Sequence, residues 1–198
     1  MGSEIIIVSG LPRSGTSLMM QMLDQGGIEV VTDNIRTADT DNPRGYYEFE
    51  QVKKIKEDKS WLPATRGKAF KMISQLLYDL PATESYRIVF MERDMGEMLV
   101  SQEKMLKRLG RTGGPPDQIE RSFTIHVEKL RQWLKQQPNL QVLYVSYNDL
   151  VERPREQAER VHAFLGGRGN LEAMVQAIDP SLYRNRKPAS DPAAGNPA

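Results

Sequence analysis

The 198-residue chain has no cysteine, which excludes a disulfide framework, thiol chemistry and a thiolate-ligated metal. Histidine is nearly absent. His126 and His162 are the only two, too few for a histidine-built metal site or a Ser-His-Asp triad. Both fall in helical patterns and read as packing or surface residues. Charge of one sign is also missing: 27 Lys+Arg against 26 Asp+Glu leave a net +1, without the basic excess of a nucleic-acid binder. Long apolar runs are lacking as well. The first, Ile5 to Val8, follows Glu4 with no basic flank or cleavage pattern, so no export signal is expected there. None approaches the roughly 20 residues of a membrane span, and Ile6 stands where N-myristoylation requires Ser or Thr. A cytoplasmic protein is expected.

What is present is ordinary globular composition, 39% hydrophobic and 27% charged. The length suits one domain at about 150 residues per domain, with about 70% of the unfolded surface buried. We expect residues 1–186 to form that domain. Residues 187–198, dominated by Pro, Ala, Gly, Asn, Ser and Asp, read as a flexible tail. Four short runs, 5–9, 69–73, 88–92 and 142–146, are apolar on both faces, as buried parallel strands are. Helical patterns separate them. One follows Gly15 and stops at Gly26-Gly27, and one starts near Tyr47. A third spans 96–109. A fourth, after Pro115-Pro116, carries the stripe Ile119, Phe123, Val127, Leu130 and Leu134. The last runs from Pro154 to Leu165. This alternation predicts an α/β fold, a parallel sheet flanked by helices.

The informative segment is residues 5–18, IIIVSGLPRSGTSL. A strand running into a glycine-containing loop that opens a helix makes an anion cradle: backbone N–H groups converge and the helix dipole adds positive charge. Gly10 and Gly15 keep the spacing of the nucleoside-triphosphatase loop G-x-x-x-x-G-K-[ST], but Thr16 holds the lysine position. That lysine reaches the β- and γ-phosphates, so phosphoryl transfer is the weaker reading. A cation remains at Arg13. A P-loop kinase and a non-catalytic nucleotide-binding module stay open as alternatives.

Here the segment resembles the sulfotransferase family. Pro12, Arg13, Ser14, Gly15, Thr16 and Ser17 look like its 5′-phosphosulfate loop, in the arginine-containing form of protein-tyrosine sulfotransferases. The resemblance implies a P-loop-type fold, 3′-phosphoadenosine-5′-phosphosulfate (PAPS) as donor and its desulfated product PAP. No metal is expected, since a sulfuryl group carries less charge than a phosphoryl group and no acidic metal-binding motif appears. The family's second signature is an arginine at a strand end and a serine eight residues on, which together hold the 3′-phosphate. Arg93 and Ser101 have that spacing. An arginine at a strand's carboxyl end faces the crevice where α/β sheets bind ligands, and its planar fork suits phosphate. Pairing of Arg93 with Asp94 or Glu97 on the surface is the competing reading.

Lys71 sits where the family carries the lysine of its second strand, implying assistance at the bridging oxygen. Residues 143–166 resemble its late strand and helix, a mainly structural part. The family's glycine-rich basic closing segment is missing. Arg184 and Arg186 are its substitutes by analogy, and a solvated basic tail is the other reading. Where cytosolic members carry a histidine base, two residues after the lysine, this chain has Ile73. Transfer to a hydroxyl needs a proton acceptor. The resemblance to glutamate-using members points to Glu48, with Glu50 and Asp41 behind it; a helix first-turn role for Glu48 competes. Tyr46, Tyr47 and Trp61 either wall an acceptor pocket or belong to the core, and Met19, Met20 and Met22 read as core. The acceptor, small molecule, carbohydrate or peptide, is not legible, nor is the oligomeric state.

Overall fold

A computed structural model describes residues 4–33 and 45–179 of the chain. The expected tail, Arg184, Arg186 and Asp41 lie outside them. Four strands, β1 (Ile5–Gly10), β2 (Ala69–Ile73), β3 (Tyr86–Glu92) and β4 (Leu140–Ser146), form a parallel sheet in the order β2-β1-β3-β4. Among the described residues six α-helices accompany them: α1 (Thr16–Gln25), α2 (Met95–Arg108), α3 (Pro116–Leu134), α4 (Tyr147–Glu152), α5 (Pro154–Phe164) and α6 (Leu171–Ala177).

The period-two geometry of the strands divides the core. Ile6 and Val8 of β1 join Met19, Met20, Met22 and Leu23 of α1 on one face, where α5 and α6 also pack. Ile5 and Ile7 point the other way, with Phe70, Ile88 and Phe90, onto Leu130 and Leu134 of α3. All six residues of β1 are buried, which accounts for the absence of polar alternation in its sequence. The chain moves from β1 outward to β2, then back across β1 to β3. The order therefore reverses between β1 and β3, and their carboxyl ends flank the crevice where such sheets take ligands.

Two sequence expectations need correction. No α-helix starts near Tyr47; residues 45–49 are non-helical and only Glu50–Lys54 forms a short 3-10 turn. The backbone there is committed elsewhere. Gly45 (φ 89°) and Tyr47 (φ 51°) are left-handed, and the Glu48 carbonyl accepts hydrogen bonds from Asp33 N (3.1 Å) and Thr32 Oγ1 (3.0 Å). The first-turn role of Glu48 falls with that helix. On α3, only Leu130 and Leu134 of the five-residue stripe are fully buried, in the core cluster of Ile5 and Ile7; Ile119, Phe123 and Val127, nearer the helix start, are half-buried.

Candidate active site

β1 ends at Gly10, whose amide plane lies so close to β3 that an added Cβ would sit 2.6 Å from the Met91 carbonyl oxygen and 2.5 Å from Ser14 Oγ. Gly15 has φ 99°, and a Cβ there would meet the Tyr147 ring at 2.3 Å. Both glycines are thus demanded by neighbouring protein atoms. Between them Arg13 adopts a left-handed backbone (φ 69°), a conformation a non-glycine residue holds only when its surroundings impose it.

Those surroundings are the second signature. Arg13 Nε donates to Ser101 Oγ at 3.0 Å, and Arg93 Nη1 donates to the Arg13 carbonyl at 3.4 Å. The loop after β1 and the segment after β3 therefore form one polar cluster. Its other members come from α2 and α4. The Arg93 guanidinium lies 4.4 Å from the Tyr147 ring centroid. Its Nε donates to Glu97 Oε2 at 3.2 Å, and Asn148 Nδ2 approaches the same oxygen at 3.4 Å. The Arg93–Glu97 pair anticipated as a surface contact exists, but it is buried, its side chains 8% and 4% exposed.

The start of α1 differs from that of its neighbours. Asp94, Ser146 and Asn170 cap α2, α4 and α6 with side-chain oxygens, while α3 and α5 open with proline. α1 opens on Gly15 with no side-chain cap and no acidic residue in its first turn. Four N–H groups of an uncapped terminus want an acceptor. Ser14 Oγ, at a residue 1% exposed, has no hydrogen-bond partner among the described residues. An uncapped helix, a buried hydroxyl and two arginines around one loop have the chemistry of an anion site.

Lys71 sits opposite Val8 in the β1–β2 register. Its ammonium donates to the Tyr46 carbonyl and lies 5.9 Å from the Tyr46 ring centroid. Ser17 Oγ approaches that carbonyl at 3.4 Å. Tyr46 thus brings residues 45–49 beside the loop and β2. Glu48 is half-buried two residues on, and its carboxylate helps Glu50, the leading partner, hold the Lys53 ammonium above its usual range. Trp61 is core: 9% exposed, edge-on to Phe49 (5.3 Å) and Phe70 (5.4 Å). Tyr47 packs beside the α1-side core. Burial first, then its hydrogen bond to Asp24 Oδ2, pushes its phenol up to about 12.

Sequence reading missed Tyr147, which contacts Gly15 and Arg93 at once, and it did not connect Glu97 or Asn148 with the loop. Only tertiary contacts that bring α2 and α4 beside the first loop reveal these roles. His162 lies outside the cluster, bonded to the Gly169 carbonyl (3.2 Å). Among the described residues no group of three or more histidine and carboxylate side chains is arranged to hold a metal, and no helix is long and apolar enough to cross a membrane.

The reversal of strand order at an uncapped helix flanked by arginines defines an α/β protein of the phosphate-loop kind. The family model described as "Sulfotransferase domain" matches residues 3–191, and the chain belongs to that family. It is a sulfuryl-transferring enzyme. Comparison with curated proteins gave no match. Solved structures share the fold. Mouse sulfotransferase SULT7A1 complexed with PAP gives a TM-score of 0.56 at 17% identity, covering 97% of this chain and 69% of that one. A sulfotransferase from Alicyclobacillus acidocaldarius gives 0.54 at 15%, covering 92% and 89%. The sulfotransferase domain from the curacin biosynthetic pathway gives 0.53 at 16%, covering 89% and 78%.

Proposed function

We propose that the chain transfers a sulfuryl group from PAPS to a hydroxyl or amine acceptor, releasing PAP. The observation that carries this reading is the direct bonding of the loop to the second signature, Arg13 to Ser101 and Arg93 to the Arg13 carbonyl, at the strand-order reversal. A nucleotide with phosphates at both its 5′ and 3′ positions suits a crevice with these two cationic groups. The uncapped start of α1 and the buried Ser14 hydroxyl fit an anionic oxygen at the loop.

PAPS supplies an activated sulfuryl group whose sulfur–oxygen bond to the 5′-phosphate breaks as sulfur bonds to the acceptor oxygen or nitrogen. Pro12 shapes the loop. Arg13, Ser14, Gly15, Thr16, Ser17 and the loop amides hold the 5′-phosphosulfate and stabilise charge developing on the leaving phosphate. Lys71 assists at the bridging oxygen. Arg93 and Ser101 hold the 3′-phosphate, with Arg184 and Arg186 assigned to close over it. Glu48 takes the acceptor's proton; what supports it is the hydrogen bond that Lys71 donates to the carbonyl of Tyr46, two residues earlier. No metal is part of this mechanism. The acceptor is a small molecule, carbohydrate or peptide, and a cytoplasmic site of action belongs to the same proposal.

Calorimetry tests the donor: PAP should bind and ATP with Mg²⁺ should not, and tight ATP with silent PAP overturns the reading. Arg93→Ala should weaken PAP at least about tenfold more than adenosine 5′-phosphosulfate, which lacks the 3′-phosphate. Glu48→Gln should still bind PAP but lose transfer by about 10²–10⁴-fold; full activity removes Glu48 from the mechanism.

A further inference from the structure

Arg93 is not held in reserve. Its guanidinium is buried against the Tyr147 ring and bonded to Glu97 Oε2 at 3.2 Å, with Asn148 Nδ2 3.4 Å from the same oxygen. Glu97 is itself fixed, since its backbone N–H donates to Asp94 Oδ1 at 3.1 Å, the cap of α2. Ser101 Oγ already accepts from Arg13. Among the described residues this hydrogen-bonded set joins two guanidinium groups, Arg13 and Arg93, to two carboxylates, Asp94 and Glu97. Arg93 therefore has a carboxylate beside it before any nucleotide arrives. A phosphate entering such a set adds up to two negative charges beside a carboxylate already close to the same arginine. Anions brought together in a buried site are costly unless one of them yields.

We infer that Glu97 sets the selectivity of the second anion pocket, its carboxylate competing with a nucleotide's 3′-phosphate for the Arg93 guanidinium. Glu97 thus lowers the advantage that a 3′-phosphate confers and returns to Arg93 when the nucleotide leaves. This rests on the donor reading above, because it takes the 3′-phosphate as the ligand of Arg93.

The experiment compares PAP with AMP, identical except for the 3′-phosphate, by calorimetry on the full chain. Glu97→Gln keeps the shape and the oxygen facing Asn148 but removes the charge. It should raise the PAP-to-AMP affinity ratio at least about tenfold over wild type, with AMP itself little changed. Glu97→Asp, which draws the charge back by one methylene, should raise the ratio less, and it decides the matter if circular dichroism shows the Gln variant misfolded. A ratio that stays the same or falls in the folded variant overturns the inference and makes Glu97 an orienting group for Arg93. A wild-type chain that binds neither nucleotide fails differently: it removes the donor reading, and this inference with it.

Discussion

Gly15 shows how tightly the loop is specified by what surrounds it. Ala there must hold φ 99° and also displace the Tyr147 ring, whereas Ala at Gly27 meets only the backbone penalty, since nothing lies within 4 Å of the added Cβ. Gly15→Ala should cost about 1–3 kcal/mol for the backbone and a further 1–3 kcal/mol or so for overpacking. Gly27→Ala should show the first part only. Urea unfolding of the two variants measures the difference. His126 allows a second test. Its Nε2 lies 2.9 Å from the buried Ser74 Oγ, and burial lowers its pKa. Between the folded value and the ordinary 6.5 the unfolded chain binds the extra proton, so stability should decline as pH falls below about 6.5. His126→Gln should flatten that decline in urea midpoints measured from pH 7 to pH 5.

Helices and strands were legible to different degrees. The four strands stood out because their residues are apolar on both faces, and the structure extends three of them by one or two residues. α1 was readable from its glycine stops. The 3-10 turns Leu62–Thr65 and Ser74–Asp79 and the helix α6 left no comparable signal, being too short for a hydrophobic period to repeat. α3 illustrates the limit of periodicity: its stripe reports which side is apolar, not how deeply each position is covered. Leu130→Ala, at a residue 0% exposed, should cost about 2–5 kcal/mol. Ile125→Ala, at 51% exposed, should stay within about 0.5 kcal/mol. Denaturant midpoints of the pair check the contrast. The site was legible to the same depth. Arg13, Arg93 and Ser101 were marked by spacing, but the bond between Arg13 and Ser101 spans 88 positions and has no local trace.

At the level of the whole molecule, ligand and fold are linked. A nucleotide bound between the loop after β1 and the segment after β3 touches the two central strands, so its binding should be felt globally. PAP at a hundred times its dissociation constant should stabilise the chain by about 2.7 kcal/mol, a rise in melting temperature of roughly 5–11 °C for a chain of this size. Scanning calorimetry with and without PAP reads it directly, and an unmoved transition contradicts the proposed donor.

Two groups of arginines stand at opposite ends of the sheet. Where the strands begin, Arg87 clasps Glu4 (2.6 Å) and the Phe164 carbonyl, Arg66 grips Glu84 through two bonds of 2.8 and 2.6 Å, and Arg168 reaches the Gly67 carbonyl. Those are fasteners. Arg13 and Arg93 stand where the strands finish. On the proposed reading, the nucleotide-binding arginines are distinct from these fasteners. Loosening a fastener, as in Arg66→Met, should shorten the protein's survival on heating while leaving nucleotide affinity alone, and hardening the same pole offers a route to a tougher catalyst with its reactivity intact.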